Sequence, residues 1–130
     1  MGGGAVHYNR RTMSSELNVL SGGLPESRAF DLAGLVAYQD GTVVSRTIAK
    51  SNGGTVTLFA FDRGQELSEH TTPFDALVHV LDGEVELTIG GQKVSASAGQ
   101  IVRMPAHVPH AVHASDRFKM LLILVRELAR

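Results

Sequence analysis

From Thr42 to Val125 the chain is a succession of short strand-forming runs, each stopped by a glycine- or proline-bearing turn. Thr42–Ala49 and Thr55–Phe61 are rich in β-branched and aromatic residues and flank the turn Ser51-Asn52-Gly53-Gly54. Thr57, Phe59 and Phe61 share one face of the second run, and Val56, Leu58 and Ala60 share the other. Ala76–Leu81 stops at Asp82-Gly83. Glu84–Ile89 alternates, so Val85, Leu87 and Ile89 line one face while Glu84, Glu86 and Thr88 line the wet one. Gly90-Gly91 joins that run to Gln92–Ser97, and two adjacent residues tolerant of positive φ predict a tight hairpin. After Ala98-Gly99 come Ile101–Met104, a loop stiffened by Pro105 and Pro109, and His110–Ala114. Phe118–Val125 is apolar on both faces and must be covered on both. Eight or nine such runs at spacings of about 8–12 residues, without βαβ alternation, predict an all-β sandwich or barrel.

The rest of the chain adds less. At 130 residues there is room for one domain. Residues 1–28 mix Gly, Ser, Asn and Arg around a semi-apolar Met13–Leu20. They read as an N-terminal arm, partly ordered or swapped onto a partner chain. Residues 29–130 read as the β-domain, with a short helix starting near Asp31. The absence of cysteine excludes a disulfide scaffold, a thiolate zinc site, an iron–sulfur cluster and a cysteine nucleophile. A net charge of -1 supplies no field for steering nucleic acid. The longest apolar run, Met120–Val125, is far short of the roughly 20 residues a membrane helix needs. These features lead us to expect a soluble cytoplasmic protein with neither nucleic-acid nor membrane partners.

Chemistry concentrates in the histidines. His70, His79, His107, His110 and His113 fall within one stretch, and His7 lies in the arm. Gly64 is followed after five residues by His70, then by Thr72, Ala76 and, after six intervening residues, Gly83. Gly99 is followed after five residues by Pro105, then by His107, His110 and Ala114. This double motif resembles that of the cupin family, in its small single-domain form. The resemblance implies an antiparallel jelly-roll barrel, with His70 and His110 opening strands and facing inward. It also implies that Thr72 stands where the family has a second histidine, Ala76 where it has a glutamate and Ala114 where it has an asparagine. His70 and His110 are thus the candidate ligands of a divalent metal (zinc, iron, nickel or manganese), two of four family ligands.

Strand parity places His113 and His79 outside the barrel, and His107 at its rim. Asp75, one residue from the missing glutamate, would supply a carboxylate if the turn at Pro73 let it slide inward. The expected ligand pocket comprises His70, Thr72, Ala76, Val78, Phe59, Phe61, Met104, His107 and His110. It is small and mostly apolar, suited to a small organic ligand. Two functions compete: a binding module with or without a metal, and a metal-dependent dioxygenase, decarboxylase or isomerase using His70 and His110. A metal-free sugar-processing enzyme ranks third, because Tyr8 and Tyr38 lie outside the motifs and no cationic cluster surrounds His70. The two-faced apolar strands predict a homodimer.

Overall fold

The computed structural model describes residues 23–126 and the backbone of Glu16–Leu20. Ten strands follow in order: β1 (Glu16–Leu20), β2 (Thr42–Ser51), β3 (Gly54–Phe61), β4 (Glu66–His70), β5 (Phe74–Asp82), β6 (Glu84–Ile89), β7 (Gln92–Ser97), β8 (Ile101–Met104), β9 (His110–His113) and β10 (Phe118–Arg126). They form a six-stranded sheet, β1-β2-β3-β10-β5-β8, facing a four-stranded sheet, β4-β9-β6-β7. This is the jelly-roll arrangement of two packed sheets. Its pairings are antiparallel apart from β1, which runs parallel to β2 of its own chain. Residues 1–15, which include His7, lie outside the described residues.

Alternation decides what is buried. The inner faces pack Phe59, Phe61, Val78, Val80, Val85, Leu87, Val112, Phe118, Met120 and Leu122 into one core, each at most 3% exposed. Burying such side chains contributes roughly 1.5–3 kcal/mol apiece. Phe61 stacks on Phe118 with centroids 4.6 Å apart. β10 lies between β3 and β5, so its apolar character on both faces has a structural use. Its outer face is partly covered by the chain itself: a 3₁₀ turn at Leu32–Leu35 and the following Val36 and Tyr38 pack on Val44, Leu58, Ala60, Leu81 and Leu121. Arg117 and Lys119 lie over the Tyr38 ring, and the Tyr38 hydroxyl donates to Asp82 at 2.5 Å. Burial and that carboxylate hold the phenol well above its ordinary pKa.

Glycine sets the corners. Gly90 and Gly91 have φ of 57° and 84°, the paired positive values of a type I′ hairpin. Gly83, at φ 75°, joins β5 to β6 where a Cβ would collide with the Arg117 carbonyl oxygen. Only glycine fits both the dihedral and the space.

One strand was not visible in the pattern. Glu66–His70 carries Leu67 as its single apolar residue, yet it pairs with β9. His70 therefore closes a strand instead of opening one, while His110 opens β9 as expected.

Candidate functional site

β4 and β9 are neighbours, and their register sets His70 directly opposite His110. The two rings meet edge to face, with centroids 4.4 Å apart. Each ring is held the same way. Nδ1 of His70 lies 2.7 Å from the Ser68 carbonyl oxygen, and Nδ1 of His110 lies 3.3 Å from that of Val108. A carbonyl can only accept, so Nδ1 carries the proton in both rings and Nε2 carries the lone pair. His110 is 3% exposed. Burial, and then the neighbouring His70, push it from 6.5 down to about 4. His110 is therefore neutral at physiological pH.

The surroundings come from three elements. Ala76, at the start of β5, pairs with Met104 on β8 and Leu124 on β10, and all three are buried. Ala76 and Met104 thus close the inner wall with apolar surface. Thr72 lies in the link from β4 to β5, where its hydroxyl accepts the Phe74 N–H at 3.3 Å. His107 is exposed and adopts φ 67°, and its N–H donates to the Thr72 carbonyl at 2.8 Å. This bond ties the Pro105–Pro109 loop to the β4–β5 link, so the residues carrying the two motifs are joined at the rim. Phe59 and Val78 are fully buried in the packed core, and Phe61 lies toward Phe118.

Asp75 does not take the place of the missing carboxylate. It is fully buried, but its Oδ1 accepts the Ala106 N–H at 3.1 Å and lies 3.7 Å from the Arg103 guanidinium. Asp75 thereby anchors the loop that leads to His107 and His110. Its parity with outward-facing Leu77 concealed this role, since residues of that face are ordinarily solvated. His113 pairs with Glu66 at 3.2 Å, both half-exposed, on the side of β9 away from His110. His79 is half-buried opposite Leu121 and Ile101 on the outer face of β5.

Among the described residues, no group of three or more histidines or acids stands close enough to hold a metal. Two imidazoles offer two donors, Ala76 offers none, and Asp75 is engaged elsewhere. This donor set does not fit a resident metal with three or four protein ligands. Also among the described residues, no helix is long and apolar enough to cross a membrane.

A family model described as "Cupin domain" matches residues 57–125. No curated protein matches the chain. Several solved structures do. A conserved protein of unknown function from Streptococcus pyogenes is 34% identical, with 83% of this chain and 95% of that one covered at a TM-score of 0.78. A cupin superfamily protein from Desulfitobacterium hafniense is 33% identical, with 82% and 97% covered at 0.76. A cupin 2 conserved barrel domain protein from Leptotrichia buccalis is 41% identical, with 74% and 47% covered at 0.72. Together with the in-frame glycines, Pro105, His70 and His110, these matches establish that the chain belongs to the cupin family.

Proposed function

We propose that this cupin binds a small organic molecule through the His70–His110 pair, without a resident metal. The observation that carries the reading is the pair itself: two rings 4.4 Å apart, each with Nδ1 spent on a backbone carbonyl. Nε2 of each ring is then an acceptor for a hydroxyl, amide or carboxylic acid O–H on a ligand. Apolar Ala76 and Met104 supply the remaining wall, the usual makeup of a small-molecule site. The test is a fragment panel read on the histidine ring signals by NMR. Saturable shifts at His70 and His110 with one class of fragment are the expected result. Stoichiometric binding of zinc, iron, nickel or manganese by the purified chain would overturn it.

That second outcome would favour a metal-dependent cupin enzyme, and one observation speaks for it. An imidazole that binds a metal usually donates its other N–H to a carbonyl or carboxylate, as both rings here do. His70 and His110 would then be the two protein ligands, with the remaining positions left to solvent and substrate.

The outer face supports a homodimer. Val56, Leu77 and Ile123 are half-buried, Ile101 is 59% exposed, and none belongs to the cluster under the 3₁₀ turn. A second copy packed on this strip would cover them. Light scattering at micromolar concentration tests this, and a monomeric mass would refute it.

A further inference from the structure

We infer a second binding site, at the mouth between the β2–β3 hairpin and β10, that takes a small carboxylate with an apolar body. It uses residues other than the histidine pair and shares with that site the wall at Leu124, which pairs with Ala76.

The site begins with an irregularity in β2. Thr47 pairs with Thr57, but the next pair is Ala49 with Val56, leaving Ile48 as an extra residue. Such a bulge inverts the faces of everything after it. Before it, Val43, Ser45 and Thr47 share a face with Phe59 and Thr57, the inner one. After it, Lys50 pairs with Thr55, so Lys50 is carried to the inner face as well. Arg126 arrives there by ordinary alternation. It follows Leu122 and Leu124 on β10 and pairs with Phe74, the first residue of β5.

Lys50, Thr55, Phe74, Leu124 and Arg126 line a cavity of about 200 Å³, with Ser51, Asn52 and Gly54 at its edge. Neither Lys50 nor Arg126 has an ion-pair partner among the described residues. Both cations border this cavity, and a bound anion gains from both charges. The wall opposite them is aromatic and aliphatic. Deeper on the same face, the Ser45 hydroxyl is buried without a hydrogen-bond partner, and Thr47 and Thr57 hydrogen-bond to each other at 3.0 Å. Charge at the rim and an apolar wall match an anionic head on a compact apolar body. The cavity holds the equivalent of about six or seven waters, so the body is about one ring in size.

The probe is benzoate, titrated into the full chain and followed on the backbone amides. Saturation with a Kd of about 1 mM or tighter is expected, with shifts centred on residues 50–55, Phe74 and Arg126. The neutral isostere benzamide should bind at least about fivefold more weakly. K50Q and R126Q should each weaken benzoate about fivefold while leaving the fold unchanged, since both side chains are exposed. R63Q, which removes an equally exposed charge outside the cavity, should leave the affinity unaltered. The inference is overturned if benzamide binds as well as benzoate. It also falls if inorganic phosphate reproduces the shifts at equal affinity, if the shifts centre elsewhere, or if nothing saturates.

Discussion

Acidification from pH 7 to pH 5 should weaken the fold through His110, and the size of the effect can be worked out. The ring is pushed from 6.5 to about 4, first by burial and then by the neighbouring His70 ring. Between those two values the unfolded chain binds a proton that the folded chain refuses. The unfolded state thus holds more protons, and stability rises with pH across the window. Each decade of pKa separation is worth 1.36 kcal/mol, so the full penalty below pH 4 is on the order of 3 kcal/mol. Between pH 7 and pH 5 the linkage relation yields a loss of about 2 kcal/mol. Urea unfolding at both pH values, for the native chain and for His110→Gln, isolates the contribution of His110. The drop in stability should be about 2 kcal/mol smaller in the variant, with other titrating groups cancelling in the difference. Direct titration of the His110 ring by NMR provides a readout that does not depend on the variant folding. A ring that titrates near 6.5, or a variant that keeps the whole pH dependence, would refute the reasoning.

Three further perturbations test the scaffold. Gly83→Ala should cost about 3 kcal/mol or more, read from the urea midpoint, because it adds an unfavourable dihedral to a collision with the Arg117 carbonyl. Asp75→Ala should cost about 2–3 kcal/mol by removing a buried charged acceptor, and should speed amide exchange at Ala106 more than in the β6–β7 hairpin. Equal exchange in both regions would deny Asp75 its anchoring role. Phe61→Ala should cost about 3–5 kcal/mol, since the ring is fully buried and stacked on Phe118.

The sequence discloses what local rules control. β6, β7 and β8 begin and end where alternation and glycine place them, because a two-residue Gly-Gly turn leaves one register available. The inner core follows from parity once those ends are known. His70 and His110 were legible through the spacing of two glycine-anchored motifs, and their partnership follows from strand order. β4 was not legible, because Glu-Leu-Ser-Glu-His is no strand by composition and becomes one only through its pairing with β9. The same limit hid the covering of the outer face, which depends on where the segment around Leu35 and Val36 docks.

Lys50 shows why a site can elude a sequence even where the existence of its strand is legible. Nothing in Thr47-Ile48-Ala49 announces a bulge, as there is no glycine or proline to mark it. The irregularity is settled by distant partners: Ile48 packs with the cluster under the 3₁₀ turn, and its carbonyl accepts the Leu24 N–H at 3.3 Å. Continued alternation from Thr47 would put Lys50 on the outer face and leave Arg126 as the cation of the mouth. One extra residue brings the two together, so the charge of the cavity depends on strand register as much as on residue identity. Alternation sends His113 outward as the structure does, because β9 keeps a regular register against β6, whereas alternation extended past Thr47 on β2 would place Lys50 on the wrong face.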